Sequence, residues 1–521
     1  MRGLFSYHIM IVSKYLKTIK DFINLELVCK KFGGNMEKFH FNPIPLNSKT
    51  LGYFPNIETL HLWNKKDENF GNEFTINRRE NGDSGNETVL KKEFYRIIVW
   101  FNVVFETVNR NKNRNIEFKN VTYTKNDRKK FGNNIPSSVT SIGDKCFSGC
   151  SSLSSITIPS SVTSIGGSCF GECSSLTSVT IPSSIISIGK YCFYECSNLS
   201  SITIPSSVRL INDWCFSGCS SLGSVTISSS VASIGYCCFS GCSSLSSITI
   251  PSSVRSIGGY CFNNCRKLTS VTIPSSVTSI SDYCFYECSS LTSVTISSSV
   301  RLINDWCFSG CSYLSSVTIP SSVKYIGIYC FYKCSSLTSV IIPSSVTSIG
   351  KCCFSGCSSL SSVTIPPSVI SIGCQCFYEC NSLSSVTIPS SVTSIGEGCF
   401  SGCSSLGSVT ISSSVASIGY CCFSGCSSLS SITIPSSVRS IGGYCFNNCR
   451  KLTSVTIPSS VTSISDYCFC KCGSLTSVTI PSRVISIGNY CFIECSSLRS
   501  APKASPPPTS WEERLLKCKI V

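Results

Sequence analysis

From Cys146 onward one 23-residue unit recurs sixteen times, and such a chain cannot divide into independent globular domains. One copy reads Leu176-Thr-Ser-Val179-Thr-Ile181-Pro182-Ser-Ser-Ile185-Ile-Ser-Ile188-Gly189-Lys-Tyr-Cys192-Phe193-Tyr-Glu-Cys196-Ser-Asn198. Its apolar positions are too few to offset the entropy of fixing the backbone of a lone unit. Stacking removes the deficit, because each coil then buries both flanks and pairs its strand with two neighbours. The expected fold is therefore a solenoid, a β-rich parallel ladder of sixteen 23-residue coils with a small helical and mixed N-terminal cap.

Within the unit, the alternation Val179-Thr180-Ile181 predicts a short strand with Thr pointing outward. Pro182 cannot donate to the ladder and ends that strand. Gly189 fits a turn of positive φ, a place Asn212 and Asn304 can share and Ser281 and Ser465 fill less well.

Thirty-two of the 39 cysteines form two columns, Cys146 to Cys491 and Cys150 to Cys495, each at intervals of 23. They occupy apolar slots beside Phe, where a free thiol serves as a small hydrophobe. Axial disulfides remain open, since stacked coils bring like positions about 5 Å apart. Zinc is disfavoured, because Cys-x3-Cys has no His partner and departs from Cys-x2-Cys spacing. The three histidines, His8, His40 and His61, lie outside the array. With no phosphate-cradling Gly loop and no nucleophile beside a base, the sequence offers no catalytic residues, no metal ligands and no cofactor. A non-enzymatic protein is expected.

The pattern Leu-x-x-Val-x-Ile-Pro-x-x-Val-x-x-Ile-Gly-x-x-Cys-Phe-x-x-Cys resembles the BspA type of leucine-rich repeat over about residues 130–500. Relatives usually carry a small residue such as Ala at the Cys before Phe, so the first thiol column is a departure. The resemblance implies a leucine-rich-repeat solenoid that binds proteins, as surface antigens and adhesins of the family do. Blocks have also been copied whole: Gly223–Cys288 returns almost unchanged at Gly407–Cys472.

Four regions follow. Residues 1–45 read as a helical N-terminal segment; positions 8–36 resemble an F-box, and a plain helical cap is the other reading. Residues 46–130 read as an irregular capping region with a degenerate repeat at Phe54–Leu62, a loop over 64–90, and one helix face joining Phe94, Ile97, Ile98, Phe101, Val104, Phe105 and Val108. Residues 131–500 are the repeats. Residues 501–521 form a Pro-rich linker and tail. The first dozen residues show no small-x-small cleavage site and read as uncleaved.

Of the net charge of +16, the excess sits mainly before residue 144, which suits an acidic partner or an anionic membrane surface as well as a simple solvated face. Nucleic acid is not expected, because the array's few charges are spread thinly. Two columns are candidate binding surfaces. Thr157, Thr180 and Thr203 begin an outward hydroxyl row that continues nearly to Thr479, and its other reading is a solvated sheet. Tyr191, Trp214, Tyr260, Tyr283, Trp306 and Tyr329 precede the first Cys of their units; these rings either contact partners or cover the turn beneath.

The last four residues, Cys518-Lys519-Ile520-Val521, resemble a prenylation box, with Cys518 the lipidated thiol. One prenyl chain holds weakly, and Arg514, Lys517 and Lys519 would assist by charge. The expected function is thus a protein-binding repeat protein, membrane-associated through its tail. The alternative is a cytoplasmic ubiquitin-ligase substrate adaptor of F-box type.

Overall fold

The computed structural model describes residues 6–28, 30–72 and 91–498. The chain forms a parallel β-solenoid of about seventeen turns, most of them of 23 residues. It divides into two compact units, residues 1–148 with 156–169 and 184–186, and residues 149–155 with 170–183 and 187–521.

The first unit opens with α1 (Ser6–Ser13) and α2 (Ile19–Val28). Phe22 from α2 packs edge-on against Phe39 and Phe54 with centroids 5.8 and 5.3 Å away, which seats the helix on the first coil. Strands β1 (Thr59–Leu62), β2 (Arg96–Val99) and β4 (Ile116–Phe118) then form a parallel sheet, with Leu60 opposite Ile97 and Ile97 opposite Ile116. A second parallel ladder runs through β3 (Val103–Val104), β5 (Val121–Tyr123), β6 (Ser141–Ile142) and Ser164–Ile165. The parallel ladder therefore begins before the regular array, behind the small helical N-terminal region, and β1 falls within the degenerate repeat expected at Phe54–Leu62.

This corrects the single helix face expected over Phe94–Val108. Ile97 and Val99 lie on β2, Val104 on β3, and only α3 (Phe105–Arg110) is helical. Trp100 and Asn102 interrupt the apolar run, and ladder pairing with β1 and β4 outweighs the local helical period. The loop expected over 64–90 lies partly outside the described residues. Helix α4 (Lys125–Phe131) follows β5, capped reciprocally by Thr124 and Asp127. The Asp127 carboxylate is buried and also accepts the Glu106 N–H at 2.8 Å, tying α4 to α3.

In the second unit the strands pair in register. Ser201, Ile202 and Thr203 lie opposite Ser224, Val225 and Thr226, and the same register recurs at Ser270–Ile273 with Ser293–Ile296. Val and Ile point inward and Ser and Thr outward, as period two requires. Pro then starts a tight turn, in which the Val254 N–H donates to the Pro251 carbonyl at 3.0 Å. The second Ser of the turn locks to the coil before it: the Ser253 hydroxyl donates to the Val231 carbonyl at 2.6 Å and Ser345 to Val323 at 2.6 Å.

Along the core, the Phe column forms a continuous ring stack. From Phe170 to Phe492 adjacent centroids lie 5.3–5.7 Å apart with the planes nearly parallel. Their N–H groups bind the next coil: Phe262 donates to the Cys284 carbonyl at 2.8 Å. The second Cys column completes the turn, since the Cys288 thiol donates to the Phe262 carbonyl of the preceding coil at 3.1 Å. This contact recurs from Cys196 to Cys495 and gives a buried thiol a structural use as donor.

The glycine expected in a positive-φ turn has another cause. Gly166, Gly235 and Gly350 do not have positive φ. A Cβ at Gly350 would instead meet the Gly327 carbonyl carbon at 2.5 Å, so the position demands close approach of two backbones. Asn212 and Ser281 occupy the column by donating their side chains to the Ile188 and Ile257 carbonyls, at 2.6 and 2.7 Å. Ser465 does the same to Ile441 at 2.8 Å, so serine fits the position by replacing the glycine N–H as donor.

Candidate binding surfaces

Positive φ falls elsewhere, at the two residues that each precede a Cys. Tyr260 (φ 56°), Tyr283 (φ 55°) and Trp306 (φ 59°) are left-handed, as are Glu287 (φ 54°) and Gly310 (φ 76°) at the second place. A bulky residue there carries a cost of about 1–2 kcal/mol. In return its N–H turns along the solenoid axis: Tyr260 donates to the Asp282 carbonyl at 3.0 Å and Trp306 to the Ile328 carbonyl at 2.8 Å. The turn is thus a hydrogen-bonded rung, and the residue type at its left-handed corner is chosen by what the side chain can stack on.

The aromatic column stacks on itself. Tyr260 lies 4.3 Å from Tyr283 at 9°, and Trp306 lies 4.0 Å from Tyr329 at 13°. Tyr191 stacks on Trp214 at 5.8 Å, and Tyr236 bridges Trp214 to Tyr260 across the coil where Cys237 breaks the column. Packing against neighbouring rings pushes the Tyr260 phenol up to about 12, chiefly through desolvation. Trp214, Tyr260, Tyr283, Trp306 and Tyr329 are half-buried, and Tyr191 is 40% exposed. These six rings come together as expected, but their faces are used internally, which favours the turn-covering role over direct contact with a partner.

The hydroxyl row is differently placed. Thr157, Thr180 and Thr203 are exposed on strands Ser155–Thr157, Ser178–Thr180 and Ser201–Ile204, and the outward Ser beside each is exposed as well. Ile341 alone replaces Thr within the row and stands 76% exposed. Arg209, Arg255, Arg301 and Lys324 are exposed just before the second short strand of their coils. The result is a broad hydroxyl surface with a sparse basic edge, with the chemistry to form many weak hydrogen bonds.

The thiols are the opposite. In both columns burial is nearly complete, and the cysteines of the described residues are thiols rather than disulfides. Desolvation pushes the Cys237 thiol up to about 11 and Cys288 to about 12. Such groups are poor nucleophiles and poor metal ligands. Among the described residues no group of three or more His, Cys, Asp or Glu is placed to hold a metal ion. No helix among them is long and apolar enough to cross a membrane. Cys518 lies outside the described residues.

What sequence reasoning missed is the pair of left-handed corners. The second was signalled by Gly or Asn at nine of its sixteen places, Gly218, Gly241 and Asn264 among them. The first, filled mostly by Tyr, Trp and Cys, gave no such sign.

Comparison with known proteins agrees with this geometry. The model of the BspA type leucine rich repeat region matches residues 132–246, 233–357, 324–432 and 416–505. A leucine-rich repeat protein from Bacteroides ovatus is 30% identical, over 70% of this chain and 87% of that one, with a TM-score of 0.52. A leucine rich cell surface protein from Faecalibacterium prausnitzii is 28% identical over 70% of this chain and 90% of that one, with a TM-score of 0.39. No match is found among curated proteins. With its repeats matched over well beyond half its length, and with strand, turn and Phe spine arranged as the repeat demands, the chain belongs to the BspA-type leucine-rich-repeat family.

Proposed function

We propose that this chain is a non-enzymatic, protein-binding solenoid, held at a membrane by a prenyl group on Cys518 and displayed there as an antigen- or adhesin-like recognition surface. The observation that carries the binding reading is the exposed, in-register Ser and Thr face, repeated coil after coil. Such a face offers an extended partner many hydroxyl groups over several coils, each hydrogen bond adding little. The family supports interaction rather than catalysis. The tail supplies the tether, since one lipid chain with nearby Lys and Arg gives reversible membrane attachment.

Two measurements test the two halves. In fractionated cells the native chain is expected with membranes, and Cys518→Ser in the soluble fraction; unchanged membrane association of that variant would defeat the lipid tether. A benzophenone amino acid at Thr203 is expected to give discrete protein adducts on illumination, and the same group at Tyr236 few. Equal yields at both positions would remove the strand face as the binding surface.

A further inference from the structure

The coils that open the molecule exchange hydroxyls for rings and charges. On β1, His61 takes the outward place that Thr180 takes in its own coil, and Trp63 that of Pro182. Trp100 does so at β2 and Glu117 and Lys119 at β4, while Ile98, opposite both His61 and Glu117, is buried between them.

The side chains converge. His61 stacks on Phe41 at 5.1 Å and 19°, meets Trp63 edge-on at 5.6 Å, and lies 6.0 Å from Trp100. Trp100 is 39% exposed. The Lys119 ammonium stands 5.8 Å over the Trp100 ring, and Lys14 stands 5.8 Å over Phe41. Glu117 is ion-paired with both Arg96 and Lys119. Of two further carboxylates, Asp67 is engaged by the Trp63 and Asn64 N–H groups at 2.7 and 2.8 Å, and Glu58, whose backbone carbonyl accepts the Arg96 N–H, lies 3.5 Å from His40.

Two cations therefore share one carboxylate beside an aromatic platform. The field at His61 is positive: burial lowers its pKa first, Lys119 and Arg96 lower it further, and Glu117 opposes them. Partly exposed Trp with Arg at hand is the composition of an interface hot spot. A neutral ligand would leave the excess cation unmatched, whereas a carboxylate would complete it by charge-assisted hydrogen bonds.

We propose that the outward face of β1, β2 and β4 is a recognition site for an acidic peptide segment that carries an aromatic side chain. The carboxylates pair with Arg96 and Lys119, and the aromatic ring packs against Trp100 and Trp63. This rests on the protein-binding reading and adds a place and a chemistry to it.

The test uses the full chain with histidines labelled at the Cε1 carbon. The probe is an acetylated decapeptide of alternating Glu and Tyr, with Lys-Tyr and Ser-Tyr decapeptides as controls. The Glu-Tyr peptide is expected to shift the His61 signal saturably, to raise the pH at which it titrates, and to bind several-fold more weakly at high salt. Arg96→Gln and Lys119→Gln are each expected to weaken binding about 3–10-fold, and Trp100→Leu to abolish the response, with circular dichroism unchanged. An unmoved His61 signal, or equal binding of all three peptides, overturns the proposal. Loss of the peptide response with Thr203 adducts intact removes this site alone; the converse removes the array face alone.

Discussion

Raising the pH from about 8 to about 10.5 in the presence of reductant is expected to unfold the repeat array in one steep transition. The cause is the thiol columns. From Cys196 to Cys468, burial holds twenty-four of these groups above the ordinary thiol value, so they stay protonated in the folded chain. In the unfolded chain they ionise near the ordinary thiol value of about 8.5. Above that pH the unfolded state binds fewer protons, and stability falls as pH rises. Each thiol so affected removes about 1.4 kcal/mol per pH unit. The contribution is intact below the ordinary thiol value and disappears on the way to the raised folded one. Urea unfolding followed by circular dichroism should show a midpoint that is level up to about pH 8 and more than halved by about pH 10. A midpoint level through about pH 9.5 would mean that the columns are not held neutral inside the array.

The second large effect is expected from Phe308→Ala. Phe308 is fully buried and lies between Phe285 and Phe331, at 5.4 and 5.5 Å. Removing the ring deletes contacts to both neighbours and leaves a cavity that two backbone rungs prevent from collapsing. The loss is expected to be about 3–5 kcal/mol. Because each coil touches only its neighbours, the damage should stay local and split the cooperative unit, with hydrogen exchange fastest at the coils flanking residue 308. Ile341→Thr is the matching control, since Ile341 is exposed on the strand face; it should change stability by less than about 0.5 kcal/mol. Equal effects of the two substitutions would mean that the Phe column is not the spine.

Strand, inward Val and Ile, outward Thr, strand-ending Pro and buried Cys-Phe-Cys were all legible in the sequence, because sixteen copies display the period-two and apolar columns without ambiguity. Three things were hidden, each for a physical reason. Gly189 and its column were explained by local backbone freedom, although the pressure comes from a neighbouring coil that no single unit reveals. The left-handed corners at Tyr260 and Trp306 were concealed because inter-coil hydrogen bonds and ring stacking override the steric preference of the residue itself. Of the early coils only the one at Phe54–Leu62 was legible, since the interval from Leu60 to Ile97 differs from that between Ile97 and Ile116 and no fixed period links the strands.

The candidate surfaces divide in the same way. An outward Thr is a one-residue inference from alternation, and the exposed row follows. That the aromatic column spends its faces on itself depends on the axial distance between coils and on Tyr236 reaching across a gap, neither of which is encoded in one repeat. The His61 cluster joins residues 41, 61, 63, 100 and 119, which become neighbours only once the degenerate coils have stacked.

Whether the copies share one interior is tested most directly by labelling the native, reduced chain with iodoacetamide at about pH 8 and reading each thiol by mass spectrometry. Cys374, the exposed thiol on the array, should be modified within minutes, while Cys261, Cys284 and Cys307 stay unmodified until urea is added. Modification of those three at the rate of Cys374 would show that the coils do not close over a common core.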